Sequence, residues 1–233
     1  MKNILITGGS KGIGLALTYK FAGNNFHVIT ISRDTTPLHG LSNITSIQGD
    51  ITIDTDLDKL INVINDFPSL DGIISNAAHC TPEPLKLTTN YEIEKHFATN
   101  FFAPIKLIQK VLQQKKTRYV INLSSGAATL PLQSLFSYCT SKAAMHHAIH
   151  CLNVEYPETK FANVRPGMVK TEMHKKLCNA DDSIFPDGNY IKHMAQNNSA
   201  IPTEKVADYI FKIWQLPSDQ FAKDWNILED NNI

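Results

Sequence analysis

The chain has 233 residues, with 22 Lys plus Arg against 22 Asp plus Glu, so its formal net charge is zero. This balance argues against a protein that binds nucleic acid through the phosphate backbone, because such proteins carry a basic excess. With 42% hydrophobic and 19% charged residues, the chain is also too apolar for a disordered protein.

Short β-branched segments alternate with longer segments of helical pattern along the chain. The predicted strands are 3–7, 27–32, 44–48, 72–75, 118–123 and 160–165. The intervening segments are long enough for crossover helices, so the strands are expected to form a parallel sheet covered on both faces. We therefore expect one doubly wound α/β domain over 1–233, with six or seven strands and its ligand beyond their carboxyl ends.

A glycine-rich segment lies between the first predicted strand and an apolar helix. Glycine lets the chain turn tightly and lets a pyrophosphate approach the backbone, while the N–H groups at the positive end of the helix bind the anion. The segment predicts a dinucleotide phosphate site; a purely structural turn is the alternative. The residues predicted to bind the cofactor here are Gly8, Ser10, Lys11, Gly12, Ile13 and Gly14.

The end of the second predicted strand indicates which dinucleotide binds. Ser32 stands where a carboxylate would accept the free 2′-hydroxyl of NAD(H), and Arg33 follows it. The fork of an arginine suits a phosphate monoester, and Lys11 adds a second positive charge. We read Asp34 as an exposed turn residue and expect NADP(H) to be preferred, with NAD(H) possible. Two solvated surface cations are the alternative.

Tyr138 and Lys142 lie four residues apart at the start of a predicted helix. This spacing puts the phenol and the ammonium on one helical face, about 6 Å apart along the axis. A nearby cation favours the phenolate and lowers the pKa of a tyrosine, which suits a general acid or base. Such a pair is common in structural helices, but Ser125 follows the fifth predicted strand, where it could hydrogen-bond the reacting oxygen. Ser124 and Asn122 are expected to satisfy local backbone groups.

In their order along the chain, these motifs resemble those of the short-chain dehydrogenase/reductase family in its compact single-domain form. The glycine turn resembles the family's T-G-x-x-x-G-x-G, and segments after the third, fourth and sixth predicted strands resemble three further family motifs. The resemblance covers roughly residues 1–172 and implies a Rossmann-like fold. It adds the following residues to the cofactor site: Asp50, Ile51, Asn76, Ala77, Pro166, Gly167, Val169 and Thr171, together with Tyr138 and Lys142.

The resemblance also implies a catalytic tetrad of Asn100, Ser125, Tyr138 and Lys142. Tyr138 would protonate a carbonyl oxygen as hydride arrives from nicotinamide, and Ser125 would orient that oxygen. Lys142 would lower the pKa of Tyr138 and hold the nicotinamide ribose, while Asn100 would support a water chain. The implied activity is an NADPH-dependent carbonyl reductase, or an alcohol dehydrogenase in reverse. A non-catalytic NADP(H)-sensing protein, or an isomerase or dehydratase on the same fold, is the alternative.

Two segments depart from the family pattern or leave their structure open. Ala78 stands where the family usually has glycine, and the tail lacks the glycines that close a seventh strand in many members, although Ile227 and Leu228 could add a short one. Residues 172–200 are either an apolar lid over the substrate or an ordinary surface helix and loop, with a turn signal at 186–189. By analogy with the family, we expect a homodimer through the long helices, including the one that carries Tyr138.

The remaining reactive side chains predict no further chemistry. His146 and His150 could share a helix face, but no third ligand is evident in the sequence, so no metal site is expected. The four cysteines show no pairing pattern and read as reduced thiols of a cytoplasmic protein. No signal-peptide core and no stretch approaching about 18 apolar residues is present, so no membrane association is expected.

Overall fold

The computed structural model describes residues 1–114, 117–185 and 200–230. Its centre is a seven-stranded sheet, parallel throughout, in the order β3-β2-β1-β4-β5-β6-β7. The strands are β1 (Lys2–Thr7), β2 (Phe26–Ser32), β3 (Ile44–Gln48), β4 (Gly72–Ser75), β5 (Tyr119–Leu123), β6 (Lys160–Arg165) and β7 (Asp224–Asn226). This confirms the predicted doubly wound parallel sheet.

Helices connect the strands and cover both faces of the sheet. They are α1 (Gly12–Ala22), α2 (Asp54–Asn65), α3 (Asn90–Phe97), α4 (Ala103–Gln114), α5 (Phe136–Glu155), α6 (Glu172–Cys178), α7 (Thr203–Gln215) and α8 (Ser218–Phe221). A π-helical turn, Ala98–Phe102, joins α3 to α4. No helix in these described ranges is long and apolar enough to cross a membrane.

The core has two layers, one on each face of the sheet. Helices α1 and α7 cover one face, where Phe21 packs edge-to-face against Phe211 and Trp214 with ring centroids 5.1 and 5.4 Å apart. Helices α2, α4 and α5 cover the other face. The central strand β1 is buried on both sides, which explains why its sequence is continuously apolar instead of alternating.

The seventh strand lies three residues earlier than the sequence suggested. Ile227 and Leu228 were its expected members, but β7 is formed by Asp224–Asn226 and pairs with β6. Only Trp225 of this strand is buried, so it offers no apolar run that a sequence pattern could detect.

The strand order reverses between β1 and β4, which are neighbours at the centre of the sheet. In open parallel sheets a crevice forms at such a point, beyond the carboxyl ends of the strands. The segment predicted to cover this crevice begins with α6. Residues 186–199 of this segment, including the turn signal at 186–189 and the apolar residues Tyr190 and Met194, lie outside the described residues.

Candidate active site

Three of the predicted cofactor-binding segments meet at the crevice. Gly8 and Gly12 both have positive φ angles, +68° and +53°, which glycine adopts without strain. The side-chain amide of Asn76 donates to the backbone oxygens of Thr7 and Gly8, at 2.8 and 3.2 Å, and so ties the end of β4 to the glycine turn. A Cβ atom on Gly12 would lie 3.2 Å from Cγ2 of Thr171, which follows β6.

The glycine turn fits a diphosphate group. Lys11, the N-cap residue of α1, makes no side-chain hydrogen bond to the first turn of the helix, and that turn contains no acidic residue. A Cβ on Gly14 would lie 2.1 Å from the backbone oxygen of Gly8, so only glycine allows the helix to approach the turn this closely. The first N–H groups of α1 and its positive dipole end are therefore suited to an anion.

The end of β2 offers polar groups for the adenosine ribose. The hydroxyl of Ser32 is buried and has no hydrogen-bond partner among the described residues, which fits a hydroxyl group of a ligand. Arg33 is exposed next to it. The ammonium of Lys11 lies 3.4 Å from a carboxylate oxygen of Asp34, a pair that the sequence analysis missed. Both side chains are well exposed, so this ion pair is weak and can rearrange.

Asp50 and Ile51 lie directly after β3, at the position that the family resemblance assigns to the adenine part of the cofactor. Asp50 uses its carboxylate oxygen Oδ1 to accept hydrogen bonds from the backbone N–H and the hydroxyl of Thr52, at 2.9 and 2.7 Å. Ile51 is buried among core residues. These contacts fix the turn after β3, and the adenine contact itself stays a prediction.

The segment after β6 is held by short hydrogen bonds. Ile201 donates to Met168 at 2.7 Å and accepts from Lys170 at 2.9 Å, and Val169 between them is buried. Thr171 is the N-cap of α6 and accepts a hydrogen bond from the backbone N–H of His174. The predicted cofactor residues from 166 to 171 are thereby fixed beside the glycine turn.

The structure brings together three of the four predicted catalytic side chains. The Ser125 hydroxyl follows β5, accepts from the backbone N–H of Ala127 at 3.1 Å and lies beside Tyr138 in the first turn of α5, close enough to lower the pKa of the phenol. One turn later, the buried Lys142 donates from Nζ to the backbone oxygen of Leu123 at 2.8 Å. Both side chains of α5 thus reach the same strand end.

Burial dominates the titration of both groups on α5. It raises the pKa of Tyr138 above the usual phenol value, with the thiol of Cys80 adding to the effect and the hydrogen bond with Ser125 opposing it. Burial lowers the pKa of Lys142 to about 8, against the opposing influence of Cys80. Desolvation of the phenol outweighs the lowering by Ser125, and the predicted lowering of the Tyr138 pKa by Lys142 stays a prediction.

Asn100 links the loop after β4 to helix α5, and its side chain is not exposed in the site. It lies buried in the π-helical turn, accepts from the backbone N–H of His79 at 2.8 Å, and donates to the His79 oxygen and to Ser141 Oγ, both at 2.9 Å. Such π-helical turns are frequent at functional sites. Nearby, Ala78 does not adopt a left-handed conformation, so the replacement of the usual glycine causes no backbone strain.

The wall beside Tyr138 is apolar. Leu135 and the fully buried Phe185 form a small cluster there, which is separate from the two main core layers. The residues packed against them include Cys80, Leu132, Tyr138, Cys139, Met168, Leu177 and Cys178. Burial raises the pKa of the Cys80 thiol to about 12, so this thiol stays protonated.

Two polar residues at the end of β5 have partners that the sequence did not suggest. The Ser124 hydroxyl lies 2.9 Å from Nδ1 of His146, and the Asn122 amide donates to Oδ1 of Asn163 at 2.8 Å. Both were expected to satisfy local backbone groups, but each contacts a side chain on another element. Contacts between residues so distant in the chain leave no local signal in the sequence.

Comparison with known proteins agrees with this geometry. The sequence model of the short chain dehydrogenase family matches residues 2–182. L-xylulose reductase of Caenorhabditis elegans is 32% identical over 74% of this chain and 73% of its own length. A benzil reductase of Bacillus cereus that forms (S)-benzoin is 26% identical over 96% of this chain and 97% of its own. The solved structure of ElxO with NADPH bound, 24% identical, has a TM-score of 0.80 over 97% of this chain and 96% of its own.

Proposed function

Because the chain belongs to the short-chain dehydrogenase/reductase family, we propose that it is an NADP(H)-dependent oxidoreductase that interconverts a small carbonyl compound and its secondary alcohol. The observation that carries this proposal is the convergence of the Tyr138 phenol, the Ser125 hydroxyl and the buried Lys142 ammonium at the end of β5. All three lie at the carboxyl ends of the strands, where ligands of this fold bind.

When bound, the nicotinamide would supply the hydride, and side chains of the protein would donate the proton. Tyr138 holds its proton at neutral pH because burial raises its pKa, so the phenol can donate to a carbonyl oxygen that gains negative charge. Ser125 hydrogen-bonds the same oxygen and fixes its position. The Lys142 ammonium, with a pKa of about 8, is charged in most molecules at pH 7 and stabilises the phenolate that remains.

Positive charge at the ribose end supports a preference for NADP(H). Arg33 and Lys11 flank the end of β2, where no carboxylate takes the place of Ser32. Asp34 partly offsets Lys11, so Arg33 is the main phosphate ligand in this proposal. The NADPH bound to ElxO, a protein with the same fold, is consistent with this assignment.

An uncharged carbonyl compound is the proposed substrate. The wall beside Tyr138 is built from the apolar side chains of Leu135, Phe185, Met168 and Leu177, which suit an apolar part of a substrate. Two relatives are named for the reduction of ketones, L-xylulose and benzil. We propose that α6 and Phe185 cover the substrate in a single domain that spans the chain.

The decisive experiment compares Tyr138→Phe with the wild type in NADPH oxidation, with benzil and L-xylulose heading a panel of ketones. We expect turnover to fall by about 10²–10⁴-fold while NADPH binding is unchanged, because only the proton donor is lost. Tyr156→Phe, at the exposed end of α5, is the control and should keep full activity. Retained turnover in Tyr138→Phe would overturn the assignment of Tyr138 as proton donor. A wild type that binds NADPH but reduces no member of the panel would overturn the proposal in favour of a sensing protein.

We also propose that the protein is a cytoplasmic homodimer. Phe136 and Val154 lie exposed on α5, and Phe102 is exposed just before α4, so these helices present apolar surface that a second copy can cover. Cys80, Cys139 and Cys151 are not joined in disulfides, in keeping with a reducing compartment. Light scattering coupled to size-exclusion chromatography should give twice the chain mass, and Val154→Glu should give the monomer.

A further inference from the structure

Outside the candidate active site, three metal-ligating side chains meet between α5 and β7. Nε2 of His146 lies 3.0 Å, and Nε2 of His150 3.4 Å, from the same carboxylate oxygen of Asp224. All three ligand atoms lie within 4.8 Å of one another. The histidines share a face of α5 because they are four residues apart, and the edge strand β7 brings Asp224 to them from 78 residues beyond His146. We call these three residues the α5–β7 cluster.

Two of the three spacings between the ligand atoms match those of a tetrahedral metal site. Zinc binds imidazole nitrogen and carboxylate oxygen at about 2.0–2.1 Å, which puts neighbouring ligand atoms about 3.3 Å apart. The two nitrogen-to-oxygen distances of 3.0 and 3.4 Å lie on either side of that value. An ion can therefore enter with small side-chain movements.

Outer hydrogen bonds already orient two of the three ligands. The Ser124 hydroxyl lies 2.9 Å from Nδ1 of His146, so that ring is held with Nε2 toward Asp224. The second carboxylate oxygen of Asp224 accepts from the Asn163 amide at 3.0 Å. Partners of this kind fix the tautomer and ring orientation of metal-binding histidines. They are buried, whereas His150 and Asp224 are open to solvent, which gives an ion a path to the site.

A second histidine cluster is less suited to binding a metal ion. His79, Glu92 and His96 also lie close together. There, however, Nε2 of His96 accepts from the backbone N–H of Thr81 at 3.2 Å, and its Nδ1 lies 2.7 Å from the backbone oxygen of Glu92. Both ring nitrogens of His96 are thus occupied by backbone groups. In the α5–β7 cluster, by contrast, Nε2 of His146 and of His150 face only the carboxylate among the hydrogen bonds and ion pairs described.

We propose that His146, His150 and Asp224 bind a divalent transition metal ion of the zinc type, with water completing the coordination, and that the ion fastens β7 to α5. Two imidazoles and one carboxylate suit zinc, whereas Mg²⁺ prefers oxygen ligands alone. The sequence predicted no metal because the third ligand was not evident, and the fold supplies it. The proposal is independent of the reductase activity.

The test uses untagged, chelator-treated protein titrated with Co²⁺ and then with Zn²⁺. We expect a visible cobalt absorption band typical of tetrahedral nitrogen and oxygen ligands, one site per chain, and displacement by Zn²⁺ but not by Mg²⁺. His150→Ala and Asp224→Asn should each weaken Zn²⁺ binding by at least about 10-fold, and Ser124→Ala by about 10–100-fold. His147→Ala, an exposed change on the same helix, should leave the affinity unchanged.

Thermal unfolding supplies a second readout. Zn²⁺ should raise the Tm of the wild type and of His147→Ala, but not that of His150→Ala, whose exposed side chain is not needed for folding. The proposal is overturned if no saturable Zn²⁺ binding occurs, if Asp224→Asn and His150→Ala keep the wild-type affinity, or if His147→Ala loses as much affinity as they do.

Discussion

Lys142 donates a hydrogen bond of 2.8 Å from Nζ to the backbone oxygen of Leu123, which holds a buried ammonium group against the end of β5. Burial lowers the pKa of this ammonium to about 8, well below the value of 10.5 that it has in the unfolded chain. The buried site therefore disfavours the charged form of Lys142, and this lowers the free energy of unfolding of the protein.

We predict that Lys142→Met stabilises the protein at pH 7 while abolishing turnover. Below pH 8 the folded and unfolded chains both carry the charge, so the full cost of burying it is present, and Met removes about 1–3 kcal/mol of that cost. Between pH 8 and 10.5 only the unfolded chain binds the proton, so the wild type gains stability and the difference shrinks.

Urea denaturation at pH 7 and pH 10 measures this difference. Lys205→Met, at an exposed position on α7, is the control and should change the free energy of unfolding by less than about 0.5 kcal/mol at either pH. A Lys142→Met protein that is less stable than the wild type at pH 7 would contradict the argument.

Gly14→Ala should weaken both cofactor binding and the fold. The new Cβ would lie 2.1 Å from the Gly8 backbone oxygen and 2.5 Å from Nδ2 of Asn76, so the glycine turn must shift away from α1. We expect a loss of about 1–3 kcal/mol in the free energy of unfolding and at least about 10-fold in NADPH affinity, measured by fluorescence titration. Gly23→Ala, at the other end of α1 with φ of −68°, is the matched control and should bind NADPH normally.

Arg33→Ala should reduce NADPH affinity by about 10–100-fold and leave NADH affinity within a factor of about three, because a charge-assisted contact to the 2′-phosphate is lost. Asp34→Asn should have the opposite effect, since it removes a repelling carboxylate and releases Lys11 from its ion pair. Dissociation constants for both cofactors check the pair of variants. Equal weakening of NADPH and NADH by Arg33→Ala would mean that Arg33 supports the fold instead.

Asn100→Ala should destabilise the protein by about 2–3 kcal/mol, because the N–H and C=O groups of His79 lose their partner. Ser141→Ala removes only one hydroxyl from the same network and should cost about 1 kcal/mol. Urea denaturation of the two variants checks this order. If Ser141→Ala is the more damaging change, Asn100 does not anchor the loop at His79.

Most of the fold could be predicted because five of the strands, β1, β2, β4, β5 and β6, are buried on both faces, and the partly buried β3 is also rich in β-branched residues. Such strands read as short apolar runs, and their bounds differ from the prediction by at most one residue. The position of strand β7 was not predicted correctly because only Trp225 among its residues is buried. Its position depends on pairing with β6 and on the contact of Asp224 with α5, neither of which is local in sequence.

The candidate site could be predicted only where it depends on local spacing. The glycine turn and the separation of Tyr138 from Lys142 are visible in the sequence, because each lies within one turn or one helical face. Asp224 could not be paired with His146 in advance, since the fold joins them across 78 residues. The direction of the pKa shift of Tyr138 could not be predicted either, because it depends on burial by residues from several segments.

The packing of α1 against α7 has a consequence for the newly made chain. Phe21 leaves the ribosome long before Phe211 and Trp214, which cover it. Until those residues emerge, one face of the growing domain exposes aromatic surface, which chaperones recognise and on which other nascent chains can aggregate. A product truncated before Thr203 lacks α7 and leaves that surface uncovered, so we expect it to aggregate and to be degraded by proteases.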